Sequence, residues 1–330
     1  MDFMAMSNVT AYFRELNRSM GVGWNRFWFT PTAARTLGAI RIAAGLLAFY
    51  AVATYGPDLE RFFASDGMLP MSLVGSLYRP EGQVLGQHSL LDYLPDGLLR
   101  PTYYASLAVT GLFTLGIGGR MAAVAAAVLT LSFFARAPLV IGEFEAILSF
   151  ILVYLCVGRS CDAYSVAALL RRRAPAFSLP PPASPLNTIA LRLLQIHVVA
   201  VHLMMGYAQL AAPESAWWSG EGMWLAAGRP GMPLVDVSGL EEHPRVVAAW
   251  SHAITLYLLA APVLLWNRRA RPLVLSWGAA VWLSVGLATG WMPLALAMLA
   301  ATASFWEPEP LGQWAASPLA GVRPASAVGR

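Results

Sequence analysis

Apolar residues fill this chain in blocks of about 15 to 25, separated by short arginine-bearing turns and two long polar connections. Read for period and length, the blocks predict helical spans at about 34–55, 102–117, 121–137, 143–157, 187–212, 245–266, 272–289 and 291–306. The connections 56–101 and 213–244 mix acids, prolines and glycines, and are expected to lie outside the membrane. Ahead of the first span, Val9, Tyr12, Phe13, Leu16 and Met20 recur at helical spacing, with Arg14, Glu15 and Arg18 opposite them. This predicts an amphipathic helix in the membrane interface, with Trp24, Phe27, Trp28 and Phe29 as its aromatic anchor. The expected fold is an all-α polytopic integral membrane protein, a bundle of about eight transmembrane helices behind that N-terminal interfacial amphipathic helix. Residues 1–32 form the interfacial segment and 33–306 the transmembrane domain; a basic, proline-rich linker divides it into halves 33–170 and 185–306, and 307–330 is expected to be a disordered tail.

Composition sharpens this picture. Charged residues make up 12% of the chain and hydrophobic residues 57%, whereas a soluble domain carries about 25% charged residues. All 22 basic residues are arginine. With no lysine, Schiff-base chemistry, a lysine general base and a phosphate-loop lysine are excluded. The net charge of +4 does not point to nucleic acid, because the arginines gather in short turns beside spans. Under the positive-inside rule, Arg120, Arg159, Arg268, Arg269 and Arg271 set the orientation: a multi-pass protein of the inner (plasma) membrane, both termini cytoplasmic, the two long connections outside. Cys156 and Cys161 lack zinc or redox-motif spacing and read as reduced thiols.

The stretch 187–212 stands out. Gln195, His202 and Gln209 sit seven residues apart on nearly one face of an apolar helix, with Arg192 and Gly206 beside them. Polar side chains are costly in hydrocarbon, so this stripe should face protein or a water-filled cavity. His202 could accept a proton from a lipid-soluble substrate, or be a neutral core histidine bonded to a neighbouring helix. His197 points away from the stripe and reads as packing. Arg41 either snorkels to the headgroups or pairs inside the bundle. Glu143 and Glu145 either complement a helix dipole or line a pocket. His252 could face His202, although nothing in the spacing supports a metal site. Asp66, with Trp217 and Trp218, could shape a lid over the outer mouth of the stripe; helix capping and interfacial anchoring are the simpler readings.

Several stretches, by their order and spacing, resemble the horizontally transferred transmembrane (HTTM) domain family, whose relatives include the vitamin K-dependent gamma-glutamyl carboxylases. They are Arg41, Ile42 and Gly45; then Ser65, Asp66, Gly67, Leu69 and Pro70; then Pro138 and Asp162 around the fourth span; and Gln195, His202, Gly206 and Gln209 in the fifth, followed by AWWSGEGMW. The resemblance covers roughly 33–306 and implies a membrane bundle with a pocket for a quinone-like lipid. In the carboxylases a lysine near the end of the fifth helix is thought to be the base, and the matching position here is Gln209. A neutral amide is no useful base near neutral pH, so the resemblance implies the fold without the carboxylation. His202 matches a family tyrosine, Trp282 a family histidine, and Leu258 or a neighbour an acid ahead of Pro262. Two functions follow as expectations. The first is an accessory membrane protein that binds a lipid-soluble small molecule or a membrane or secreted protein, as some bacterial relatives act in maturation or export of secreted peptides. The second is a diverged oxidoreductase acting on a quinol-like substrate with His202 as base. A small-molecule transporter is weaker, since no inverted repeat is evident.

Overall fold

The computed structural model describes residues 2–78, 88–173, 183–211, 214–229 and 232–306. The expected proline-run linker and the C-terminal tail lie outside the described residues. Among those described, the only extended pairing is an isolated antiparallel bridge between Thr32 and Ser184, and all other regular structure is helical.

In chain order the helices are α1 (Asp2–Phe29), α2 (Arg35–Thr54), α3 (Leu59–Phe63), α4 (Met71–Tyr78), α5 (Leu99–Leu115), α6 (Gly119–Arg136), α7 (Glu143–Val157), α8 (Val166–Arg173) and α9 (Pro185–Leu210). Then follow α10 (Ala216–Ser219), α11 (Gly222–Ala227), α12 (Pro244–Leu264), α13 (Arg271–Thr289) and α14 (Met292–Thr302). Among the described residues, five helical stretches are long and apolar enough to cross a membrane: Arg35–Phe63, Gly119–Arg136, Pro185–Leu210, Pro244–Leu264 and Arg271–Thr289.

The other three apolar blocks form shorter helices. α5 has 17 residues, α7 has 15, and α14 has 11 before a 3-10 turn through Phe305. At 1.5 Å per residue α7 is about 22 Å long, less than the roughly 30 Å of a hydrocarbon core. This helix packs at the centre of the bundle. α2, α6, α9 and α14 pack around it, and Leu148, Ile151, Leu152 and Leu155 are wholly buried. Neighbouring helices supply most of its surroundings, while Ala146 and Val153 remain exposed.

Small residues let the helices approach. A Cβ on Gly206 of α9 would stand 2.8 Å from Leu259 Cδ2 and 3.2 Å from Leu258 Cβ of α12. A Cβ on Gly278 of α13 would collide with the Tyr257 hydroxyl.

Two buried arginines tie loops to the bundle, one toward each end. Arg41 of α2 is fully buried. Its Nη1 donates to the carbonyls of Ser160 (2.9 Å) and Ala163 (3.1 Å), and its Nη2 to that of Tyr164 (2.6 Å). The segment it holds leaves α7 and carries Tyr164 at φ 49°, a left-handed conformation that non-glycine residues seldom adopt. Arg136, the last residue of α6, donates to the carbonyls of Leu69 (2.9 Å) and Ala64 (2.8 Å) and lies 3.9 Å from the buried Asp92 carboxylate.

The first residues of α9 join the two halves. The amide of buried Asn187 donates to the Thr32 carbonyl at 2.9 Å, and its oxygen accepts from the Arg159 N–H at 2.9 Å. Thr188 donates to the Thr30 carbonyl. α1 joins the same place: Arg192 lies over the Phe27 ring at 4.4 Å and donates from Nε to the Phe27 carbonyl at 3.2 Å.

At the other end, Asp96 adds a second tie to the turn between α3 and α4 that Arg136 holds. The Ser65 hydroxyl donates to its Oδ2 at 2.5 Å and the Ser65 N–H to its Oδ1 at 2.9 Å. These bonds, the hydroxyl first, hold the Asp96 carboxyl below the usual carboxylate range. A depressed folded value means that this tie is complete above the unfolded carboxylate range and is lost as pH falls through the folded value. The protection of the Ser65 amide, relative to an unstructured amide at the same pH, should therefore be high at neutral pH and fall only in strong acid. Ser65→Ala should bring that transition up to the ordinary range; an acid transition at the same pH in wild type and variant would exclude the Ser65–Asp96 tie as its cause.

Candidate functional site

The seven-residue stripe of α9 turns toward α12 and the end of α14, where each side chain meets a specific partner. Gln195 is buried; its Nε2 donates to the Ser304 carbonyl at 2.8 Å, and its Oε1 accepts from Arg192 Nη1 at 2.8 Å. Gln209 is half-buried, and its Oε1 accepts from the Thr255 hydroxyl of α12 at 2.8 Å. The Gln209 amide is thus bonded to a neighbouring helix.

His202 lies between them and has no exposed surface. Its Nδ1 is 2.7 Å from the Val198 carbonyl one turn back. A carbonyl can only accept, so this nitrogen carries the proton. Nε2 then accepts from the Tyr257 hydroxyl of α12 at 3.2 Å. Tyr257 and Trp282 of α13 pack edge-on to the imidazole, with ring centroids at 5.4 Å and 5.9 Å. Both ring nitrogens are engaged and both flanks are covered. Three helices meet at this histidine, each contributing one ring.

The remaining residues marked out by the sequence lie elsewhere. Arg41 neither snorkels nor meets a carboxylate, because its fork is taken by the three carbonyls described above. Glu145 accepts from the Gly142 N–H at 2.8 Å and caps its own helix, while Glu143 beside it is exposed. Asp66 is exposed, and it is the neighbouring Ser65 whose side chain bonds across to Asp96. His252 is exposed on α12 beside Gly220, not facing His202. Among the described residues no three histidine, cysteine or acidic side chains gather as metal ligands. Trp217 packs against the core, while Trp218 is exposed and donates from Nε1 to the Leu210 carbonyl at 3.2 Å, closing the end of α9.

His197 stacks on Phe150 of α7 with centroids 4.0 Å apart, and its Nδ1 is 3.0 Å from the Tyr154 hydroxyl. It is therefore part of the α7–α9 contact.

Tyr257, Thr255 and Ser304 belong to no motif and escape a reading of the sequence, and Arg136 is not singled out there. Arg136 did carry a signal. In the orientation drawn from the other arginines it lies at the outer end of the apolar block 121–137, and a charge within an apolar block calls for a buried partner.

Comparison with known proteins adds no relative: no family model, no curated protein and no solved structure matches this chain.

Proposed function

We propose that this chain is an HTTM-type integral membrane protein with an accessory role, presenting its outer segments to a membrane or secreted protein and performing no vitamin K-dependent carboxylation. The observation that carries the reading is the state of His202. A base acting on a lipid-soluble quinol needs a free lone pair within reach of the substrate. Here the lone pair of Nε2 is engaged by the Tyr257 hydroxyl inside a closed three-helix contact. The Gln209 amide offers no basic alternative and is itself bonded to Thr255. The stripe acts as polar glue between helices.

The finer topology belongs to the same proposal. All eight apolar blocks cross the inner membrane, with α7 and α14 sheltered by longer neighbours. The helix Asp2–Phe29 lies along the cytoplasmic interface, docked through Arg192. Both termini are cytoplasmic, and residues 56–101 and 213–244 face outward. The second of these segments offers a partner the exposed side chains of Trp218, Leu225, Met232 and Leu234 among the exposed acids Glu214, Glu221, Asp236, Glu241 and Glu242.

Gentle purification followed by mass spectrometry of the bound proteins, lipids and quinones tests the proposal. The expected result is one membrane or secreted protein at stoichiometric yield. A stoichiometric quinone with no protein partner would overturn it in favour of the quinol oxidoreductase.

A further inference from the structure

We infer that the groove between the ends of α2 and α5 is a binding site for a phospholipid whose headgroup carries both a phosphate and a primary ammonium. The groove encloses about 490 Å³ and is lined by Asp58, Glu60, Arg61, Arg100, Tyr103 and Tyr104 among others. It lies where α2 ends at Thr54 and α5 begins at Leu99, the level at which apolar helix gives way to polar connection. Headgroups occupy that level in a bilayer, and exposed tyrosines mark it. Tyr50 on α2 and Tyr104 on α5 are 50% and 66% exposed.

The charges in the groove select the headgroup. Two guanidinium groups face two carboxylates, with no net charge. Arg100 Nε lies 2.8 Å from Glu60 Oε1, and Arg61 Nη1 lies 3.5 Å from Asp58 Oδ1. All four side chains are more than half exposed. Ion pairs of this kind hold each other weakly in water, so they can be exchanged at small cost for pairs with a ligand of matching double charge. A phosphate takes the guanidinium forks, which suit it geometrically, and an ammonium donates its N–H bonds to the carboxylates. A choline headgroup has the same charges but no N–H to donate. A glycerol headgroup sets its phosphate against two carboxylates with nothing to neutralise them. The acyl chains would follow the exposed flank of α2 at Leu46 and Phe49.

The experiment is competitive lipid retention. The full chain is incubated in mixed micelles with equimolar phosphatidylethanolamine, phosphatidylcholine and phosphatidylglycerol, and the retained lipids are counted by native mass spectrometry. The expected result is about tenfold enrichment of phosphatidylethanolamine over each of the others, the worth of one surface-weakened charge-assisted hydrogen bond. Arg61→Gln with Arg100→Gln should abolish that enrichment. Asp58→Asn with Glu60→Gln should lose phosphatidylethanolamine and gain phosphatidylglycerol. Exposed side chains are replaced, so the thermal unfolding of both variants should match wild type. Equal retention of the three lipids, or enrichment unchanged in both double variants, would overturn the site. Displacement of the lipid by an equal concentration of free phosphoethanolamine would overturn the assignment to a lipid. None of these residues touches the α9 stripe, so this result and that for the accessory role stand or fall separately.

Discussion

Arg41→Leu should cost the bundle about 3–5 kcal/mol in equilibrium unfolding from bicelles, more than the loss of any polar side chain in the α9 stripe. The reason is geometric. One planar fork on a fully buried side chain satisfies three carbonyls of the segment that leaves α7, two of them in buried bonds. Leucine fills the space but leaves those acceptors without donors, and unpaired backbone groups are expensive away from water. Arg41→Lys should fall between the two, since a single ammonium cannot present two donor nitrogens to three oxygens at once. Gly116→Ala should act in the same direction. Gly116 ends α5 at φ +73°, and a Cβ there would stand 2.6 Å from Arg41 Nη1 and collide with Ser165 Cβ. If Arg41→Leu unfolds within about 1 kcal/mol of wild type, the size of an ordinary surface change, the clamp is not what holds this end of the bundle.

His202→Ala should be the second largest, at about 2–4 kcal/mol. It removes a buried ring, leaves a cavity against Tyr257 and Trp282, and takes the acceptor from the Tyr257 hydroxyl. Tyr257→Phe breaks the same hydrogen bond without opening a cavity, so it should cost only about 0.6–2 kcal/mol, the range for interhelical bonds in membranes. The double variant should cost less than the sum of the two, because the pair acts as one contact. Additive losses would mean that the ring and the hydroxyl do not interact in the folded protein.

Much of this arrangement is legible in the sequence, and the limits have identifiable causes. The apolar blocks place helices close to their observed positions, because a long apolar run and its arginine-rich turns are local properties. Block length does not decide which helices are long enough to cross alone. α7 is 15 residues long, and its burial depends on helices from both halves of the chain. The stripe is legible too, since a seven-residue spacing fixes a shared helical face. Its partners are not: Tyr257 lies 55 residues from His202, and Ser304 lies 109 from Gln195. Spacing along one helix carries no information about which residue of a distant helix will face it. Arg41 shows the same limit. Its depth in the first span marks it as buried, but nothing nearby reveals that its partners are backbone carbonyls more than 100 residues away.

We propose that the polar stripe of α9 binds helices together and does no chemistry. The most direct measurement is quinol oxidation by the protein in liposomes, with a soluble electron acceptor, for wild type and His202→Ala side by side, with unfolding measured on the same preparations. Both proteins should show the rate of empty liposomes, and the variant a clear loss of stability. A wild-type rate well above empty liposomes, abolished by His202→Ala while unfolding stays unchanged, would contradict the claim.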